Sequence, residues 1–170
     1  MTAPQVTVRT SGAAETRAVA AAVASVLRVG DLVALSGDLG AGKTCFVQGA
    51  AAALGVEGRV TSPSFTIMRS YRGRLRVVHV DVYRLDRVRD VLELGEEALA
   101  EPDAVTFVEW GDAVTTLLPP DRLDVTIETA GDDDERVLEF ATNGAWMERA
   151  SALRAALAPW IRLDAAPAAH

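Results

Sequence analysis

The stretch GDLGAGKT, residues 37–44, decides the fold because it joins a short apolar run to an alanine-rich helical pattern. It fits the pattern G-x-x-x-x-G-K-[ST], in which backbone N–H groups cradle phosphates, the lysine reaches the terminal phosphates and the hydroxyl faces Mg²⁺. DLVALS (31–36) predicts a buried strand before the loop, and KTCFVQGAAAALG (43–55) predicts a helix after it that Gly55 ends. Strand, glycine loop and helix in this order predict a phosphate-binding loop.

Lys43 is the only lysine of the chain, whose other strongly basic side chains are all arginines. A compact ammonium on a flexible stem fits among phosphate oxygens, whereas the planar fork of arginine does not. The start of a helix adds unpaired N–H groups and about half a positive charge, which favour an anion. The alternative is a chance match in a glycine turn. We predict that a nucleotide is bound by Gly37, Asp38, Leu39, Gly40, Ala41, Gly42, Lys43 and Thr44.

The length of 170 residues suits one domain with a sizeable core. We expect a P-loop domain over residues 1–145, followed by a C-terminal helix and a frayed tail over residues 146–170. The net charge of −7 argues against a broad basic surface for nucleic acid, since such binding depends on many Lys and Arg contacts to phosphates. Any contact with RNA is therefore expected to be local or indirect.

The cysteine content and the length of the apolar runs indicate where in the cell the protein is located. Cys45 is the only cysteine, so an internal disulfide is excluded, and we expect its side chain to pack as a small hydrophobe. The sequence shows no signal segment, and no run approaches the roughly 18 consecutive apolar residues of a membrane span. These observations predict a cytoplasmic protein without a membrane partner.

Hydrophobic periodicity and turn residues predict an α/β fold with three layers and a mixed, partly parallel sheet. Ser11 is the candidate N-cap of the first predicted helix, and Gly30 is its candidate end. Arg72-Gly73 is predicted to close one hairpin, and the acidic segment AGDDDE (130–135) a second. The remaining predictions are strands over 6–10, 66–71, 74–83, 104–110, 122–129 and 136–142, helices over 11–30 and 86–100, and a short amphipathic helix in the tail.

Two carboxylates are placed where a phosphoryl-transfer site needs them, since such a site requires an acid near the metal and a group that orients the nucleophile. In VVHVDVYR the two-residue period puts His79, Asp81 and Tyr83 on one face, and Asp81 ends an apolar strand. Glu109 ends the apolar strand in AVTFVEW. Because ligands bind beyond the carboxyl ends of strands, both acids are expected at the P-loop. Solvated carboxylates at strand ends are the alternative.

Three other features allow a functional and a structural interpretation. His79 is either catalytic or a strand histidine with an ordinary hydrogen bond, and Trp110 is expected to pack in the core or at its rim. RSYRGRLR (69–76) holds four arginines in eight residues, so it is either a local docking surface for RNA or an acidic partner, or a solvated hairpin. The acidic turn GDDDE (131–135) is expected to be solvated.

Taken together, four motifs resemble those of the bacterial TsaE family, whose members are the ATPase component of tRNA threonylcarbamoyladenosine biosynthesis. In chain order these are GDLGAGKT (37–44), the switch-like TSPSFTIM (61–68), HVDVYR (79–84) and VEW (108–110). The resemblance covers about residues 11–142. Ser64 and Cys45 stand where the family more often has threonine.

The resemblance implies Mg²⁺-dependent ATP binding and slow hydrolysis by a small subunit that acts with the TsaB–TsaD complex, which modifies adenosine 37 of tRNAs that read ANN codons. It implies that Lys43, Asp81 and Glu109 are catalytic, and that Thr44 and Glu109 serve Mg²⁺ with Asp81 near the metal. Glu109 would also position the attacking water. Three further nucleotide contacts are implied, by Thr66 in the segment that senses the nucleotide, by Ser11 and Ala13 beside the adenine, and by Arg136 on a late strand.

Three other kinds of protein also bind a nucleotide at such a loop. A small-molecule P-loop kinase passes the phosphoryl group to an acceptor under an arginine-rich lid helix, which is not evident in the sequence. A guanine-nucleotide switch needs an N-K-x-D motif, which is impossible because Lys43 is the only lysine. A nucleotide-binding scaffold without turnover remains open.

Overall fold

A mixed β-sheet forms the centre of the protein. A computed structural model describes residues 5–63, 66–83, 85–95 and 99–162, and within them one seven-stranded sheet. The strands are β1 Gln5–Thr10, β2 Leu32–Ser36, β3 Met68–Tyr71, β4 Arg76–Asp81, β5 Ala104–Glu109, β6 Arg122–Thr129 and β7 Arg136–Asn143. They lie in the order β1-β7-β6-β2-β5-β4-β3. The central strands β4, β5, β2 and β6 are parallel, and β1, β7 and β3 pair antiparallel at the two sides.

Helices cover both faces of this sheet, so the predicted three-layer α/β fold with a mixed sheet is confirmed. The α-helices are α1 Ala13–Ala24, α2 Lys43–Ala53, α3 Leu85–Leu94 and α4 Ala150–Leu157, and 3₁₀ segments span Gly111–Leu117, Gly144–Arg149 and Ala158–Trp160. One buried cluster joins α1, α2 and α4 to the sheet through residues such as Val19, Phe46, Leu153, Val33, Val125 and Phe140. A second cluster covers the other face, with Val91, Val114, Leu118, Leu32, Val80 and Val108.

Two expectations for the first helix are wrong. Helix α1 ends at Ala24 rather than near Gly30, because the backbone tightens there and the N–H groups of residues 25–27 bond carbonyls three residues back. Gly12, not Ser11, is the N-cap. Ser11 instead contributes its backbone N–H, which donates to the Glu15 carboxylate at 2.8 Å.

Both predicted hairpins are confirmed by strand register. Strands β3 and β4 pair antiparallel with Met68 opposite Val80, and β6 and β7 pair antiparallel over their full length. The helix predicted over 86–100 is shorter in the structure, because α3 ends at Leu94 and Gly95 follows with φ 84°. Residues 96–98 lie outside the described part of the chain. Ser64 and Arg84, which belong to two of the motifs, also lie outside it.

The segment after residue 145 packs against the same core as the rest of the chain. Trp146, Leu153 and Leu157 are buried with side chains of α1 and of the sheet. The boundary at 145 remains a prediction, and the tail beyond residue 162 lies outside the described residues. Among the helices that the structure describes, none is long and apolar enough to cross a membrane.

Candidate functional site

The loop 37–44 forms a tight turn between β2 and α2. Gly42, the N-cap of α2, has φ 113° and ψ 21°, a conformation that residues with a Cβ rarely adopt. A Cβ on Gly37 would lie 2.3 Å from the Ile127 carbonyl oxygen, so the loop passes against β6 at a distance that only glycine allows. The sequence therefore needs its glycines to place the start of α2, with its free N–H groups, at the end of β2.

Lys43 lies almost buried at the first position of α2. Its Nζ donates to the carbonyl oxygens of Gly37 at 2.6 Å and Asp38 at 2.8 Å, and lies 3.8 Å from the centre of the Trp110 ring. Burial lowers the pKa of the Lys43 ammonium from its usual 10.5, and the Glu109 and Asp81 carboxylates oppose that shift. The ammonium thus rests on loop carbonyls and an indole face, which are contacts it can exchange for phosphate oxygens.

Thr44 at the start of α2 contacts Glu109 at the end of β5. The Thr44 hydroxyl donates to Glu109 Oε1 at 2.6 Å, and His79 Nε2 lies 2.8 Å from the same oxygen. Glu109 ends β5 directly beside β2, since Leu35 is its register partner. A hydroxyl at the start of α2 and a carboxylate at the end of β5 are therefore in direct contact. Their shared role toward a metal, which the family resemblance implies, stays a prediction.

Asp81 is held at the same edge of the sheet. It is the register partner of Glu109 on the neighbouring strand β4. The Ser62 hydroxyl donates to Asp81 Oδ2 at 2.7 Å, and the Tyr83 backbone N–H donates to Oδ1 at 2.9 Å. The two carboxylates converge on one place, and Ser62 ties the segment after α2 to one of them.

A cavity of about 420 Å³ opens above these groups. The rings of Tyr83 and Trp110, 4.9 Å apart, form one of its walls. Its lining is Leu39, Gly40, Gly42, Lys43, Thr44, Cys45, Ser62, Pro63, Asp81, Tyr83, Glu109 and Trp110. All three predicted catalytic residues are among them. The loop can bind an anion, and the two carboxylates can bind a cation that accompanies this anion.

Seven other predicted nucleotide contacts are absent from this lining: Ser11, Ala13, Gly37, Asp38, Ala41, Thr66 and Arg136. Ala13 is adjacent, because the Cys45 thiol donates to its carbonyl oxygen at 3.4 Å, and Ser11 lies two residues before it on the exposed surface. Arg136 is behind the loop, where its Nε donates to the Ala41 carbonyl at 2.8 Å. Thr66 is exposed and its hydroxyl donates to the Met68 carbonyl at 3.2 Å. Their contacts with a nucleotide remain predictions.

Several contacts of the site were not anticipated from the sequence. Trp110 is more than rim packing, since it adopts φ 62° and ψ 37° and lays its ring against the Lys43 ammonium. Ser62 and Tyr83 belong to two of the four motifs, but no binding or catalytic role was predicted for either. Trp110 directly follows Glu109, the acid at the end of β5, and this position was the sequence signal that could have indicated a place in the site. Cys45 is half-buried and lines the cavity, so it does more than fill the core.

The donor set suits a hard divalent cation that keeps part of its water. In the described part of the chain, no three His, Cys, Asp or Glu side chains form a metal-binding group. One hydroxyl and one or two carboxylates are nevertheless available from Thr44, Glu109 and Asp81. Mg²⁺ is commonly held by one or two carboxylates together with substrate phosphates rather than by an all-protein cage. The residues present therefore fit Mg²⁺ bound with a nucleotide.

Comparison with known proteins identifies the family of the chain. A family model described as "Threonylcarbamoyl adenosine biosynthesis protein TsaE" matches residues 10–138. The chain is similar to the tRNA threonylcarbamoyladenosine biosynthesis proteins TsaE of Bacillus subtilis, with 41% identity over 80% of this chain and 85% of the relative, and of Streptomyces coelicolor, with 43% identity over 72% and 85%.

A solved structure extends the comparison to three dimensions. The structure titled "Crystal structure of Bacillus subtilus YdiB" superposes with a TM-score of 0.75 and 36% sequence identity, covering 94% of this chain and 97% of that one. The family match spans the P-loop, both carboxylates and the sheet that brings them together. The chain belongs to the TsaE family.

Proposed function

We propose that this protein binds and hydrolyses ATP in the biosynthesis of threonylcarbamoyladenosine at position 37 of tRNAs that read ANN codons, acting with the TsaB–TsaD complex. The family and its named relatives support the pathway. One observation carries the ATPase: the only lysine, the Thr44 hydroxyl and two carboxylates face a single cavity above a helix N-terminus.

In this proposal each group has a separate task. The N–H groups of the loop and Lys43 bind the phosphates, and the Thr44 hydroxyl and Glu109 carboxylate hold Mg²⁺, with Asp81 close by. Bound Mg²⁺ would neutralise charge on the phosphate oxygens. Glu109 also orients the attacking water.

The direct test compares two single variants. Lys43→Ala is expected to abolish tight ATP binding in calorimetry, because the ammonium that pairs with the phosphates is gone. Glu109→Ala is expected to retain ATP but to release phosphate at least about 100-fold more slowly than the unchanged protein. Glu139→Ala, at an exposed position of β7, is the control and should match the unchanged protein. Equal ATP affinity in the Lys43 variant would exclude the proposed phosphate site.

The pathway needs its own test. Depleting the protein from its host should remove threonylcarbamoyladenosine from tRNA, as measured by mass spectrometry of digested tRNA. The Glu139→Ala protein should restore the modification, and Lys43→Ala should not. Unchanged levels of the modified nucleoside after depletion would contradict the pathway assignment without affecting the ATPase test.

The partner-binding role is assigned to the β3–β4 hairpin. Arg76 is engaged by the Glu101 and Asp103 carboxylates, whereas the exposed side chains of Arg72 and Arg74 have no ion pair or hydrogen bond with the described residues. In a protein of net charge −7, these two unpaired arginines mark a local positive surface that suits an acidic protein face.

Reversing both charges tests this surface. Arg72→Glu with Arg74→Glu should weaken capture of the purified TsaB–TsaD complex while ATP affinity stays unchanged. Arg9→Glu with Arg154→Glu, two exposed arginines elsewhere, is the matched control. If the hairpin variant still captures the complex as well as the control does, this hairpin is not the docking surface.

A further inference from the structure

His79 is completely buried at the centre of the site, yet it does not line the cavity. It lies on β4 two residues before Asp81 and is 0% exposed. Its Nε2 lies 2.8 Å from Glu109 Oε1. Its other ring nitrogen, Nδ1, is buried without a hydrogen-bond partner among the described residues. Burying a polar atom without a partner costs free energy, so the single hydrogen bond of His79 calls for an explanation.

The direction of the bond follows from its partners. Glu109 offers a carboxylate oxygen, which accepts, so the ring proton is assigned to Nε2 and the Nδ1 lone pair is left unpaired. The reverse tautomer would point a lone pair at the carboxylate and bury an unpaired N–H. His79 therefore donates a charge-assisted hydrogen bond to Glu109 Oε1.

The same oxygen has a second donor, the Thr44 hydroxyl. In the proposed function Thr44 also offers a lone pair to Mg²⁺, so its hydroxyl is shared between the ion and Glu109. The His79 ring has Glu109 as its one hydrogen-bond partner among the described residues. Water cannot replace His79, because the ring position is closed to solvent.

We propose that His79 is a positioning residue, which holds Oε1 of Glu109 so that the carboxylate stays oriented toward the cavity when Thr44 engages the metal. This inference rests on the proposed ATP hydrolysis. Glu109 Oε2 receives no hydrogen bond from the described residues, and Glu109 lines the cavity, so one oxygen is anchored and the other is available to the ligand.

Two amide variants test whether a donor is needed at the position of His79 Nε2 or whether any polar side chain suffices. The Nε2 of glutamine reaches the place of the imidazole Nε2, whereas the Nδ2 of asparagine reaches only the place of Nδ1. His79→Gln should keep phosphate release within about threefold of the unchanged protein. His79→Asn should lower kcat roughly 10- to 100-fold, as loss of an orienting partner does at comparable sites, with KM for ATP changed less than threefold.

The structural role of a core side chain would give another pattern. If His79 only fills space, both amides should lose thermal stability and ATP affinity together, with no difference in kcat between them. Equal kcat for both variants, with melting temperatures equal to that of the unchanged protein, would overturn the proposal. Phosphate release by the unchanged protein is the reference, and its absence would contradict the proposed function instead.

A second measurement needs no substitution at His79. In a crystal structure of the unchanged protein with Mg²⁺ and a non-hydrolysable ATP analogue, His79 Nε2 should remain within hydrogen-bond distance of Glu109 Oε1. A structure in which the His79–Glu109 bond is broken would overturn the proposal even if neither amide variant folds.

Discussion

Lys43 combines a functional charge with a position that disfavours charge. Its side chain is almost buried, and burial is the dominant reason that the pKa of the ammonium lies below 10.5. The unfolded chain binds a proton at this side chain more tightly than the folded protein does. The charge that a triphosphate would require therefore reduces the free energy of unfolding of the unliganded protein.

Replacing Lys43 with methionine tests the sign of this effect. Between the lowered pKa and 10.5 the unfolded chain binds more protons, so the free energy of unfolding of the unchanged protein should rise with pH in that window. Lys43→Met lacks this rise, so its free energy of unfolding relative to that of the unchanged protein should be highest at neutral pH and fall toward pH 10.5. Urea unfolding of both proteins at several pH values measures the difference. Parallel pH profiles would contradict the argument.

The sequence predicted the acids of the site better than their neighbours. Strand alternation placed Asp81 and Glu109 at strand ends, where sheet geometry makes them meet, and the structure brings them together. The Lys43–Trp110 stacking and the Ser62–Asp81 bond depend on contacts between segments far apart in the chain. Local pattern carries no information about such contacts, so these roles were not predicted.

Helices α1 and α2 approach each other closely at Gly49. A Cβ at this position would lie 2.4 Å from the Arg17 carbonyl oxygen, which is backbone and cannot swing away. We expect Gly49→Ala to lower the free energy of unfolding by about 1–3 kcal/mol, measured by urea denaturation. Gly12→Ala, where a Cβ meets nothing within 4 Å, should cost less, and equal losses would show that the helix contact is not the cause.

The C-terminal segment is attached by a nearly buried ion pair. Arg149 donates to both carboxylate oxygens of Asp31, at 2.6 and 2.7 Å, and to the Val26 carbonyl at 2.9 Å. Arg149→Met should reduce stability by about 3 kcal/mol because it leaves Asp31 buried without its cation. Adding Asp31→Asn should recover part of that loss in thermal unfolding. A double variant no more stable than the single one would contradict this explanation.

Element boundaries were predicted with uneven success for a physical reason. Strands β6 and β7 were placed well because Pro119-Pro120 and the acidic turn limit them sharply. Helix α1 was extended too far, since the apolar period of the sequence continues through residues 25–27 although the hydrogen bonds there are those of a tighter turn. Apolar periodicity reports burial, and a buried turn keeps the period of the helix before it.

One core serves the whole molecule, so removing the C-terminal segment should affect the nucleotide site. A chain that ends at residue 145 loses Trp146, Leu153 and Leu157, each buried against the layer that holds α2. We expect it to unfold at a much lower temperature and to lose ATP binding, since several core side chains each contribute about 2–5 kcal/mol. A chain ending at residue 162 keeps all these contacts and should match the full-length protein. Normal melting of the 145-residue chain would instead support the predicted domain boundary.

The strand order could not be read from the sequence. Neighbouring strands in the chain predicted the two hairpins, but β2 lies between β5 and β6, which follow it by many residues. That arrangement depends on which parallel neighbours bury the most apolar surface once the helices are in place. Sequence pattern supplied the fold class and the layers, and only the structure supplied the order.

The position of β2 has a consequence for protein synthesis. The strand that leads into the P-loop ends at Ser36, yet its two partners in the sheet are completed only at residues 109 and 129. While those later residues are still inside the ribosome, the phosphate loop emerges without the strands that support it. The nascent chain therefore gains both strands that support its phosphate loop only after residue 129 has left the ribosome.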